Sequence, residues 1–237
     1  FEGYFKRIII AGDGVEALQL VRSHVPDIIV SDVMMPRMNG YELCKTIKED
    51  IAISHIPVIL LTAKDDKQSL ISGYKNGADG YLSKPFEVEM LMELIRLKNR
   101  EYTKKRYLNA GLIPTPEEST ISLTDETFLI KLNSIIQENI DNTNLGIQFI
   151  CQEVGLGRSS LYNKLKALTG MGANEYISKL RIEKAITLIS GTDMPFSEIA
   201  EKTGFTTPSY FSTTFKQYTG ETPSQYKERK KKGLTDQ

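Results

Sequence analysis

The stretch IIVSDVMMPRMNG (28–40) decides the fold. It opens as an apolar run, stops on Asp32, and passes at once into Pro36, Asn39 and Gly40, residues that favour turns. A short apolar run closed by turn signals reads as a buried strand. Outward from it, RIIIA (7–11), PVILLT (57–62) and GYLSK (80–84) repeat that signature. Between and after them, DGVEALQLVRSH (13–24), GYELCKTIKE (40–49), KQSLISGYKNG (67–77) and FEVEMLMELIRLKNREY (86–102) carry helical spacing. Strands apolar on both faces, alternating with helices, predict a parallel sheet covered on both sides, a doubly wound α/β domain.

The bulk numbers leave this reading free. The chain has 237 residues, 40% hydrophobic and 25% charged, and its 30 basic and 30 acidic residues cancel. That balance gives no gross signal for nucleic acid or membrane, no apolar run reaches the length of a membrane span, and no signal peptide is visible. Cys44 and Cys151 lack CxxC spacing and are expected to be reduced thiols. His24 and His55 stand apart from other ligand-type residues and receive no catalytic role.

In an open parallel sheet, ligands bind beyond the carboxyl ends of the strands. Asp32, Thr62 and Lys84 end three of the predicted strands, so a carboxylate, a hydroxyl and an ammonium converge on one edge. The set suits phosphoryl chemistry: the carboxylate as nucleophile, the other two holding the oxygens of the group it receives. No second acid within a few residues of Asp32 supplies the general acid that a phosphoryl hydrolase would need, which argues against an enzyme in its own right.

SDVMMPRMNG, LLTAK and YLSKPF together resemble the receiver domain of two-component response regulators, over roughly residues 1–102. The resemblance implies a flavodoxin-like fold in which Asp32 accepts phosphate from a histidine kinase, Thr62 and Lys84 engage the phosphoryl group, and Tyr81 turns inward as the switch. It also implies a cis Lys84–Pro85 peptide, and Mg²⁺ held by Asp32 and the Met34 backbone carbonyl together with an acid pair on a preceding strand. This chain opens on Phe1, almost directly before RIIIA, so that first strand and its acids are expected to be missing. Asp13 lies in the turn after the expected second strand and is no substitute. Mg²⁺ asks for several hard oxygens in octahedral array, so Mg²⁺ is expected in the intact receiver and only poorly in this chain.

The periodicity then dissolves. KKR and GLIPTPEEST read as a linker, placed at 103–124, with Thr124 as a helix N-cap. From 125 to 232 the pattern is helical and contains a repeat: LKALTGMGANEY (165–176) aligns with FKQYTGETPSQY (215–226). In each copy a helix, a tight turn and a second helix follow one another. Leu161, Leu165 and Leu168, and then Phe211, Phe215 and Tyr218, form the apolar stripes. The opposite faces are small, polar and basic, as expected of helices whose early residues read base edges while others touch phosphate. The candidate DNA contacts are Arg158, Ser159, Ser160, Tyr162, Asn163, Lys164 and Lys166 in the first copy. In the second they are Thr207, Ser209, Tyr210, Ser212, Thr213 and Lys216. Lys179 and Arg181 are added as phosphate contacts. Residues 144–232 hold 13 Lys and Arg against 8 Asp and Glu, so the neutral total conceals a basic module.

Two such motifs joined by NEYISKLRIEKAITLI (174–189) resemble the AraC-family double helix-turn-helix domain. The combination is similar to the C-terminal part of hybrid two-component systems, which carry sensor, kinase, receiver and AraC-type domains in one chain. It implies a phosphorylation-controlled transcription regulator that binds double-stranded DNA, forms a homodimer when active, and works in the cytoplasm, with a hybrid parent open to inner-membrane anchoring. The competing reading makes the receiver an unphosphorylated interaction module, with constitutive DNA binding.

Overall fold

The computed structural model describes residues 4–63, 77–109 and 122–235. Its elements are α1 (Gly14–His24), β1 (Ile29–Asp32), α2 (Gly40–Glu49), β2 (Val58–Ala63), β3 (Gly80–Lys84), α3 (Val88–Asn109), α4 (Leu123–Glu138), α5 (Ile147–Val154), α6 (Arg158–Thr169), α7 (Ala173–Gly191), α8 (Phe196–Lys202), α9 (Pro208–Thr219) and α10 (Pro223–Thr235). They form two compact units, Phe1–Phe128 with Ser159–Gly170, and Leu129–Arg158 with Met171–Gln237.

The first unit is built on a parallel sheet in the order β1-β2-β3. Side chains alternate across β2 and split the core in two. Val58 and Leu60 join Val21, Leu43, Cys44 and Ile47 on the face covered by α1 and α2. Ile59 packs with Leu82, Leu91 and Ile95 beneath α3 on the other face. Each fully buried aliphatic side chain of this kind contributes about 1.5–3 kcal/mol relative to exposure. The sheet is therefore covered on both sides, as the apolar strand runs predicted.

Three local expectations change. RIIIA is not a strand: residues 7–11 make no ladder hydrogen bonds, and Ile8, Ile9 and Ile10 are exposed. A strand exists through the hydrogen bonds of a neighbour, and apolar composition supplies none. The helix expected in KQSLISGYKNG lies largely outside the described residues. Helix α3 continues to Asn109, into the segment read as linker, and α4 starts at Leu123. Ser122 rather than Thr124 caps α4, its Oγ accepting the Asp125 N–H at 3.2 Å.

The second unit is helical. Ile182, Ala185 and Ile189 of α7 and Ile199 and Ala200 of α8 close around an aromatic row, Phe205, Phe211, Phe215 and Tyr226. Successive rings lie 5.3–5.7 Å apart in tilted and edge-to-face contacts. The turn between α8 and α9 depends on Gly204, at φ +73, where an added Cβ would come within 2.3 Å of the Ile140 carbonyl and 2.7 Å of the Arg181 guanidinium. Arg181 is buried there and donates to the carbonyls of Ile140 at 3.3 Å and Asn142 at 2.6 Å. It ties a turn to α7 and is not the phosphate contact expected of it.

Candidate phosphoacceptor site and nucleic-acid interface

The strand register brings the three polar termini to one edge. Asp32 pairs in register with Leu61, Thr62 with Ser83, and Ala63 with Lys84. The Lys84 ammonium forms an ion pair with Asp32 Oδ2, and the Met34 N–H donates to Oδ1 at 3.2 Å. Partial burial pushes the Asp32 carboxyl upward, but the Lys84 ammonium and the Met34 and Val33 N–H groups outweigh it and hold the group below the ordinary value of 3.8. Asp32 is thus an ionised, half-exposed carboxylate at pH 7, the protonation state a nucleophile needs. Thr62 is buried beside it on the next strand. Tyr81 packs against the core on the α1 and α2 face, with its hydroxyl buried. The Lys84–Pro85 peptide is cis.

The loop after Asp32 is fixed by its own sequence. Asn39 and Glu42 form a capping box at the start of α2. The Gly40 N–H donates to the Val33 carbonyl at 3.0 Å, and a Cβ at Gly40 would fall 2.3 Å from the Asp32 carbonyl oxygen. Asn39 and Gly40 therefore fold the chain back tightly enough to leave Asp32 at the rim. Met34 projects into solvent, 83% exposed. On the other flank Asp13 caps α1 by accepting from Val15 and Glu16 and forms an ion pair with Arg37, which holds the loop from its far side.

These residues do not fit Mg²⁺. Among the described residues no three His, Cys, Asp or Glu side chains come together. Both oxygens of Asp32 already have partners, and the Asp13 carboxylate is committed to a helix cap and Arg37. One engaged carboxylate and one carbonyl do not supply an octahedral oxygen set.

The two helices expected to read DNA correspond to α6 and α9. Gly155, at φ +78, ends α5 with its N–H on the Cys151 carbonyl, and Thr207 caps α9 through its hydroxyl. Arg158, Ser159, Tyr162 and Lys166 are exposed on α6, with Ser160 and Asn163 half-buried; Arg158 donates to Gln148 at 3.3 Å. Thr207, Ser209, Tyr210, Thr213 and Lys216 are exposed at α9, with Ser212 half-buried. Lys179 on α7 pairs with Glu183 at 3.4 Å.

Lys164 departs from the sequence reading. It is 0% exposed, its ammonium paired with Asp125 and hydrogen-bonded to Ser54 Oγ at 2.7 Å. It cannot meet phosphate from that position. Leu161, Lys164, Leu165 and Leu168 are spaced i, i+3, i+4, i+7, so Lys164 occupies a core position of its own helix. That spacing was the available signal. Ser54 and Asp125 were missed because nothing in a sequence places partners 71 and 110 residues apart beside one another.

Comparison with known proteins agrees with this architecture. Residues 2–96 match the family described as "Response regulator receiver domain" and residues 150–229 one described as "Helix-turn-helix domain". The chain belongs to the response regulators, with a receiver followed by an AraC-type helix-turn-helix domain. It is 32% identical over 182 residues to the "Probable transcriptional regulator ycf29" of Pyropia yezoensis, covering 71% of this chain and 82% of that protein. It is 42% identical over 224 residues to "Histidine kinase P4" of Formosa agariphila, covering 94% of this chain but only 16% of that relative's length. Among solved structures, the C-terminal domain of AraT, a response regulator from Geobacillus stearothermophilus, matches at 29% identity and a TM-score of 0.41, over 43% of this chain and 84% of that one.

Proposed function

We propose that phosphoryl transfer to Asp32 controls how this transcription regulator engages DNA. The observation that carries the reading is the convergence of Asp32, Thr62 and Lys84 at one sheet edge, with Asp32 ionised and half-exposed. The donor is a phosphohistidine of a histidine kinase. Asp32 Oδ attacks phosphorus, the P–N bond breaks, and the departing imidazole takes up a proton. The acyl phosphate concentrates about two negative charges where one stood. Lys84 then pairs with the phosphoryl oxygens in place of the carboxylate, Thr62 donates its hydroxyl, and Tyr81 follows inward. The receiver spans about residues 1–102 and the DNA-binding domain about 125–232.

The changed surface at β3 and α3 favours a homodimer, which presents paired DNA-binding domains to double-stranded DNA. Within each domain, α6 and α9 enter successive major grooves, about 34 Å apart along the duplex. The extensive match to a protein named as a histidine kinase supports a donor in the same polypeptide. The competing reading makes the receiver an unphosphorylated interaction module, with constitutive DNA binding. Incubating the complete protein with acetyl phosphate and Mg²⁺, as wild type and as Asp32→Asn, separates the two. Labelling and dimerisation lost in Asp32→Asn support phosphoryl control; equal DNA binding in all states supports the module.

A further inference from the structure

Helix α9 is nearly uncharged. Its sequence, PSYFSTTFKQYT (208–219), holds Lys216 and no acid. A helix that bound DNA chiefly through phosphates would present several cations. The start of α9 instead exposes Thr207, Pro208, Ser209, Tyr210 and Thr213, with Ser212 half-buried. By composition this is a row of hydroxyls, suited to hydrogen bonding with base edges.

Two of these hydroxyls are already engaged by the helix itself. As the N-cap, Thr207 Oγ1 accepts the Tyr210 N–H at 3.1 Å. Thr213 Oγ1 donates to the Ser209 carbonyl, one turn back, at 3.1 Å. With the oxygen turned onto the backbone, the tetrahedral Cβ of each exposed threonine leaves its γ-methyl as the outward group. Between them in sequence stands the Tyr210 ring, 52% exposed. It packs edge-to-face on Phe205, with ring centroids 5.7 Å apart. Phe205 is itself buried and lies 5.3 Å from Phe211. The Tyr210 ring is therefore supported from below and loses little freedom on making a further contact. Pro208 adds another apolar group at the first helical position. The N-terminal end of α9 is thus an apolar surface, carried on the aromatic row of the helical unit.

In the major groove, thymine presents a C5 methyl group, on which threonine methyls and aromatic rings pack. We infer that α9 reads thymine methyl groups, with Thr213 and Tyr210 as its specificity-determining residues. Thr213 follows Tyr210 by three residues, so the two share one face of the helix. The ligand is double-stranded DNA with thymine at the base pairs beneath that face. Recognition there depends on the buried methyl rather than on donors and acceptors, and Lys216 is left to meet phosphate. The inference rests on the DNA-binding reading above and names what one of its two helices recognises.

The test uses the full chain. A random duplex library is selected on the wild type at low salt. Each thymine of the selected site is then replaced in turn by deoxyuridine, which removes the methyl and keeps every hydrogen-bonding group. Binding is read by fluorescence anisotropy for wild type, Thr213→Ser and Thr213→Val. Serine keeps the hydroxyl and loses the methyl; valine does the reverse. At one thymine or more, deoxyuridine is expected to weaken the wild type about fourfold, the worth of one buried methyl. Thr213→Ser should bind the thymine duplex about fourfold more weakly than wild type, and should be indifferent to deoxyuridine at that position. Thr213→Val should match wild type on both duplexes. Thr213→Ser equal to wild type, Thr213→Val as weak as Thr213→Ser, or one deoxyuridine response shared by all three would overturn the inference, as would a selected site without thymine. A wild type that bound no duplex would defeat the DNA-binding reading itself, and this inference with it.

Discussion

The Lys164 ammonium is closed over the Asp125 carboxylate with both side chains out of solvent, while Lys166, two residues further along the same helix, stands exposed. Two lysines of one helix are therefore placed differently: one is buried in an ion pair within the protein, and the other faces solvent.

Removing one member of a buried pair leaves the other charged without compensation, which costs about 3–5 kcal/mol, whereas replacing both with apolar side chains is often neutral. Lys164→Ala and Asp125→Ala should each lower stability by about that amount, and Lys164→Met with Asp125→Leu should recover most of it. Urea unfolding at pH 7, followed by far-UV circular dichroism, checks the series.

The same pair gives a pH signature. Burial pushes the Asp125 carboxyl upward, but the Lys164 ammonium and the Ser54 and Ser122 hydrogen bonds outweigh it and hold the group below 3.8. A depressed carboxyl contributes stability that is complete above its unfolded pKa and is lost as pH falls through the lower folded value. Its contribution should stay level from pH 7 to about pH 4 and decline below. In Asp125→Asn stability should start lower, with a shallower acid decline. Urea midpoints across that range read the difference.

On DNA, Lys166→Ala should weaken binding to every sequence and flatten the salt dependence by about one unit. Asn163→Ala should instead relax discrimination at one base pair, by about 1–3 kcal/mol. Titrations of matched and mismatched duplexes at several salt concentrations distinguish a phosphate contact from a base contact.

Gly204→Ala should destabilise the helical unit by more than about 1 kcal/mol, because φ is positive and the added Cβ meets the Ile140 carbonyl and Arg181. Lys216→Ala, on an exposed position of α9, should leave stability within about 0.5 kcal/mol of wild type. Thermal melts of the two variants make the comparison.

Much of this was legible because local pattern and tertiary role coincide. Asp32, Thr62 and Lys84 could be placed at one edge since parallel strands put their carboxyl ends together, and α2 was delimited by Asn39 and Gly40 at its start. RIIIA misled because apolar content does not create a ladder partner. Lys164 and Arg181 misled because charge was read as exposure, although Lys164 shares its stripe with three leucines and Arg181 serves two backbone carbonyls. The bridging role of Ser54 depends on contacts across 71 and 110 residues, which no local window contains.

The most direct test of phosphoryl control is the duplex affinity of the complete protein before and after phosphodonor treatment, measured on wild type and Asp32→Asn in parallel. Phosphoryl control predicts an increase of about fivefold or more in wild type, with labelling at Asp32, and none in Asp32→Asn. An equal response in both proteins, or labelled wild type with unchanged affinity, would contradict it.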